Sequence, residues 1–217
     1  MDDRSGNGGA VADIEVFADV GCPFTHVGLL RFVEERSRHG REDLGLVVRA
    51  WPLEVVNGKP LDPAFIREEV DEIRSQLGGG LFSGFDEASF PHTSIPAMSL
   101  AASAYESGTS VGEAVSLRLR DLLFEQGFDI SDDDLLAGLA RSHGVDWDPS
   151  EHDAHEAQVA ADHERGVDLG VVGSPHFLTG AGGFFCPALD VSRGDDGHLR
   201  VTADREGFDR FLAAALE

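Results

Sequence analysis

Residues 13–26 carry an apolar run, Ile14 to Ala18, that passes through Gly21-Cys22-Pro23 into a helical pattern with Phe24, Val27, Leu30 and Val33 on one face. This stretch limits the fold more than any other, because a buried strand feeding directly into a helix is half of an α/β unit. Pro23 suits the first helical position, where its missing N–H would be unpaired anyway. Cys22 is thereby placed at the N-cap, facing the free amides and the positive end of the helix dipole. That setting favours thiolate over thiol, so Cys22 is expected to be an activated nucleophile.

The remaining pattern is read in the same way. Leu46 to Trp51 gives a second strand, closed by Pro52. Helices then dominate. Asp62-Pro63 opens one with Ile66, Val70, Ile73 and Leu77 on a face, and Phe82, Phe85 and Phe90 follow in a loop expected to pack the helices together. Ser94-Ile95-Pro96 starts another helix; Ser110 and Glu113 form a capping box ahead of Val115, Leu119 and Leu122. Ser131 and then Ser150 open two more. Strands return at Gly170 to Thr179, and a turn at Ala181 to Gly183 brings the chain back through Phe184 to Cys186. Asp204 caps a closing helix bearing Phe208, Phe211 and Leu212. The fold class is therefore α/β, with an all-helical block inserted between its two strand-bearing halves.

Composition narrows the function. A chain of 217 residues with a formal charge of −23 is a poor partner for nucleic acid or an anionic membrane, both of which need basic patches. No run approaches a membrane span. Residues 1–12 are acidic and Gly-rich without an apolar h-region, and are expected to form a disordered tail. Two widely separated cysteines make neither a disulfide framework nor a zinc cluster, so a cytoplasmic protein without a metal is expected. A single lysine, Lys59, beside abundant Arg, Ala and Gly fits a high-GC or halophilic origin and says nothing of chemistry.

Three motifs taken in order resemble the DsbA family of thioredoxin-fold proteins. They are most similar to the cytoplasmic branch of 2-hydroxychromene-2-carboxylate isomerases, kappa-class glutathione transferases and FrnE-like oxidoreductases. The first motif is Ile14 to Thr25, where the family has a strand followed by Cys-Pro-x-Cys. The second is Leu123 to Asp132 with Leu135, Leu136 and Gly144-Val145-Asp146, similar to the branch's insertion helices. The third is Gly170 to Phe177, in the place of Gly-Val-x-Gly-Val-Pro-Thr-Phe. The resemblance implies a DsbA-like thioredoxin fold with a large helical insertion. Residues 13–60 and 166–217 would form the thioredoxin-like domain, and 61–165 the insertion. It also implies a cis bond before Pro175, with Ser174 and Pro175 brought against Cys22, and a substrate surface shaped by Pro23, Phe24 and Ser174.

One departure matters. Thr25 stands where the second active-site cysteine would be, and a hydroxyl can donate a hydrogen bond to the Cys22 sulfur but cannot resolve a mixed disulfide. Cys186, counted across the hairpin to a place opposite roughly Phe177, is the internal candidate for a resolving thiol; otherwise it is a small buried hydrophobe. His176 follows the expected cis proline and could hold the thiolate or carry protons, unless its strand turns it to the other face. His92, just before an insertion helix, is a cleft candidate. His26 is expected to be a half-exposed surface residue. His152, His155 and His163 lie among acids and are read as a solvated face.

The leading expectation is a thiol-dependent oxidoreductase in which Cys22 alone forms a mixed disulfide with a protein or small-molecule substrate. The alternative is a transferase or isomerase of the kappa and chromene-carboxylate kind, whose members usually carry serine at the Cys22 position. A catalytically silent binding module is the lesser alternative. No tightly bound cofactor is expected. The co-substrate would be a low-molecular-weight thiol of the glutathione or mycothiol type, and a homodimer is left open.

Overall fold

A computed structural model describes residues 13–78, 80–195 and 197–217. The acidic tail read at residues 1–12 lies outside them. Four strands, β1 (Ile14–Ala18), β2 (Leu46–Ala50), β3 (His176–Thr179) and β4 (Gly182–Phe185), form a mixed sheet in the order β2-β1-β3-β4. β1 and β2 are parallel, so a crossover is required, and α1 (Pro23–Arg38) provides it. β3 runs antiparallel to both β1 and β4, and α8 (Arg205–Leu216) closes the chain. This is a mixed α/β thioredoxin fold. Between β2 and β3 run the short α2 (Leu53–Val56), then α3 (Pro63–Leu77), α4 (Ile95–Glu106), α5 (Thr109–Phe124), α6 (Asp133–His143) and α7 (His152–Asp168).

Strand alternation sorts the side chains. Ile14, Val16 and Ala18 pack with Leu46 and Val48 against Leu29 and Phe32 of α1 and Phe211 of α8. Phe17 points the other way, to Trp51 and Val171. Gly166 of α7 lies against that pair; a Cβ there would come within 2.8 Å of the Trp51 ring and 2.9 Å of Phe17. The helical block has its own core, built on Ile66, Val70, Ile73, Leu100, Leu119 and Leu136, and this core runs on without a break to Val20 after β1, Val27 of α1 and Cys186 after β4.

Several local readings need correction. Ser110 and Glu113 make no capping box: α5 begins two residues earlier than a Ser110 cap would place it, with Gly108 at its cap. Glu113 is drawn away to pair with Arg36 and to accept from the Leu46 N–H, tying the insertion to the sheet. The cap of α6 is Asp132, whose carboxylate accepts from Leu135 N, rather than Ser131. A second hairpin, β5 (Leu189–Arg193) and β6 (Leu199–Ala203), was not anticipated and packs beside α3. His26 is buried, not half-exposed. Its ring sits against Phe82 and Phe124, and Nε2 donates to Glu125 Oε1 at 2.9 Å.

Glu125 is a clamp between α5 and the Phe-bearing loop. Besides His26 it takes the Phe82 and Ser83 N–H groups at 2.7 and 2.9 Å and the Ser83 hydroxyl at 3.0 Å. Burial opposes its ionisation, but these donors outweigh it and hold the carboxyl at about 2. A depressed folded value means that the stabilisation is present above the ordinary carboxylate range and is lost as pH falls towards 2. Glu125→Ala is therefore expected to destabilise by about 2 kcal/mol at pH 7. Urea unfolding at pH 7 and at pH 2 should show the gap narrowing in acid; an equal gap at both would remove the clamp.

Candidate active site

Cys22 caps α1 with extended backbone (φ −85°, ψ 115°), its N–H held by the Asp19 carbonyl at 3.4 Å. Its Sγ donates to the Ser174 carbonyl at 3.4 Å, across a cis Ser174–Pro175 bond. The loop is locked from the other side. Asp19 N–H donates to Ser174 Oγ at 2.9 Å, and Ser174 Oγ meets Thr25 Oγ1 at 2.8 Å. Strand β1, the start of α1 and the cis-proline loop thus converge on one sulfur. Two hydroxyls share a single hydrogen bond between them, which leaves the second O–H free to turn towards Cys22 when the sulfur becomes negative.

Cys22 is 3% exposed, and this overturns the expectation of an activated resting thiolate. Burial pushes its thiol up to about 11 and the nearby Glu69 adds to the rise, against weaker opposing hydrogen bonds from Thr25 and Ser174. The dipole of α1 acts on a group that has lost its water. At neutral pH Cys22 is a thiol.

The sulfur lies in the wall of a cavity of about 490 Å³. Phe24, Leu61, Phe65 and Ile66 form an apolar side; Asn57, Asp190 and Asp204 a polar one. Cys186 and Glu69 face the same space. Cys186 falls two positions beyond the expected register: Phe177 pairs with Phe184, and Cys186 N–H donates to the Pro175 carbonyl at 2.9 Å. Burial, with Cys22 second, raises its thiol to about 12.

Of the residues singled out from sequence, Cys22, Phe24 and Ser174 line the cavity, Thr25 and Pro175 lie directly behind it, and Pro23 is buried at the first helical position. Two do not join them. His176 accepts from Val172 N–H at 3.2 Å through Nδ1, and its ring faces Phe185 and Gly183, since its strand turns it off the cavity side. Burial lowers its pKa, so it is a neutral, structural imidazole. His92 is exposed and bonded to Ser131 at 3.0 Å, outside the cavity. On α7, His155 stacks on Trp147 and His163 lies against Trp51, so neither belongs to a solvated face.

Three residues were missed. Asp19 is fully buried; its carboxylate accepts from Gly21 N at 2.7 Å, Leu53 N at 2.8 Å and Ser94 Oγ at 3.1 Å. Arg120 is buried behind it, donating to the Asp19 carbonyl at 3.3 Å and to Ser116, and burial lowers its pKa to about 10. Glu69 sits on the face of α3 that bears Ile66, Val70 and Ile73. An acid on the apolar stripe of an amphipathic helix was the available signal.

A family model, the DSBA-like thioredoxin domain, matches residues 13–193. No curated protein matches the chain in sequence. Among solved structures, a 2-hydroxychromene-2-carboxylate isomerase superposes with a TM-score of 0.56 at 16% identity, over 79% of this chain and 87% of that one. The cytosolic disulfide reductase DsbM from Pseudomonas aeruginosa, with GSH, gives 0.55 at 16% identity, over 94% and 98%. At such identity these likenesses speak for the fold alone. Strand order, the cysteine cap, the cis-proline loop and the match over most of the chain agree: it belongs to the DSBA-like thioredoxin-domain family of thiol- and disulfide-handling enzymes.

Proposed function

We propose that this chain uses a low-molecular-weight thiol to act on a small apolar substrate held in the Cys22 cavity, in the manner of the kappa-transferase and chromene-carboxylate isomerase branch. The observation that carries the reading is the burial of Cys22 as a neutral thiol in the wall of a cavity of small-molecule size. A folded protein disulfide has poor access to such a sulfur. The donor set fits the co-substrate: Asp190 and Asp204 suit its ammonium group, and the Asn57 amide its carboxylate or amides. When bound, the small thiol supplies the reacting sulfur. Cys22 S–H, the free hydroxyl of the Thr25–Ser174 pair and the first amides of α1 then form a ready-made donor set for negative charge on sulfur. Phe24, Leu61 and Ile66 hold the apolar partner and exclude water. The structural relative DsbM is named cytosolic, and we place this chain in the same compartment. No helix among the described residues is long and apolar enough to cross a membrane.

A second reading keeps Cys22 as the nucleophile. There its thiolate attacks a small disulfide, one thiolate leaves, and Cys186 attacks the Cys22 sulfur to release the other as an internal disulfide forms. The shared cavity of Cys22 and Cys186 favours it. Calorimetry with reduced glutathione, followed by intact and peptide mass spectrometry after oxidised glutathione at pH 7, separates the two. Reversible binding without an adduct is expected. Stoichiometric modification of Cys22, or loss of both free thiols, would instead establish the disulfide route.

A further inference from the structure

We propose that Glu69 is the proton carrier of the Cys22 cavity, taking the thiol proton when sulfur reacts and returning it to the substrate atom that becomes negative. The geometry behind this is unusual for an acid. Glu69 is 8% exposed, projects from the apolar face of α3 into the cavity wall shared with Cys22, and accepts no hydrogen bond among the described residues. Its oxygens are not among the fully buried, unpartnered atoms, so the carboxyl opens onto the cavity instead of being sealed in the core, and setting an acid on an apolar helix face costs desolvation. The groups around it are Cys22 from α1, Cys186 after β4, Arg193 from β5 and Glu68 on its own helix. Arg193 is already engaged with the Gly197 carbonyl, Glu68 and the Phe65 ring. Burial raises the carboxyl to about 8, with Arg193 opposing and Glu68 adding. The group therefore exchanges its proton near neutrality, which suits general acid–base work.

The inference rests on the cavity being a thiol site, but its test needs no bound thiol, so failure of one is visible apart from failure of the other. Iodoacetamide serves as the probe. An S–C bond forms at Cys22, the C–I bond breaks, iodide leaves, and the thiol proton passes through a water in the shared cavity to the Glu69 carboxylate and on to solvent. Peptide mass spectrometry separates Cys22 from Cys186. Between pH 6 and 10, the wild-type rate at Cys22 is expected to step up near pH 8, well before the thiol itself ionises. Glu69→Gln should lose the step and react roughly ten-fold more slowly at pH 9. Glu69→Asp, which keeps the carboxyl one methylene back, should retain a smaller step. A purely electrostatic Glu69 gives the opposite sign, since removing a negative charge beside Cys22 eases thiolate formation. Equal or faster alkylation of Glu69→Gln, or no step in the wild type, overturns the proposal.

Discussion

Cys22→Ala is expected to lower the rate of glutathione conjugation to chlorodinitrobenzene by about 10²–10³-fold, whereas Cys22→Ser should stay within about ten-fold of wild type. The contrast follows from what the side chain does in the proposed reaction. In the proposed reaction the neutral S–H, given to the Ser174 carbonyl in the resting protein, turns about the Cβ–Sγ bond to donate to a bound sulfur on which charge develops. Serine keeps an O–H there; alanine keeps nothing, and the Thr25–Ser174 pair and the helix amides must act alone. Were Cys22 itself the covalent nucleophile, serine would be as inactive as alanine, because a hydroxyl cannot form a mixed disulfide. Steady-state kinetics on the two variants thus reads the role of the sulfur, and equal loss in both would sink the proposed function.

Asp19→Ala should cost about 3–5 kcal/mol of stability and lower Tm by roughly 10 °C. Asp19 is buried at the end of β1, and its carboxylate joins three segments: its own turn through Gly21, the start of α2 through Leu53, and the residue before α4 through Ser94. Alanine leaves two buried N–H groups and a hydroxyl without partners and removes the carboxylate charge facing Arg120, whose hydrogen bond to the backbone carbonyl of residue 19 it keeps. An amide in place of the carboxylate keeps one acceptor oxygen but turns an NH₂ towards donors, so Asp19→Asn should recover only part of the loss. Calorimetric melts at matched pH decide this. A loss under about 1 kcal/mol for the alanine variant would show that the carboxylate is no anchor.

Much of the frame was legible in the chain. Ile14 to Ala18 reads as the short apolar run of a buried strand, Pro23 marks a helix start by its own covalent geometry, and Ile66, Val70 and Ile73 repeat at the period of a helix. These are local properties, and the backbone obeys them wherever the segment lies. The directions of single polar side chains were not legible. Cys186 directly follows Phe185, the strand partner of His176, and that one-residue step turns the thiol into the cavity while the imidazole stays out of it. His26 looked like surface because nothing in the chain indicates that Glu125 will fold over it.

The turn at Cys22 shows where the division falls. By itself the sequence determined that a cysteine would cap a helix behind a buried strand, and that no second thiol would stand beside it at Thr25. Only the tertiary structure decided the state of that sulfur. The helix dipole is local and favours the thiolate, but the cis-proline loop and α3, both remote in the chain, remove its water and set Glu69 nearby. Desolvation depends on everything packed around a group, whatever its distance along the chain, and here it outweighs the field of the helix that carries the cysteine.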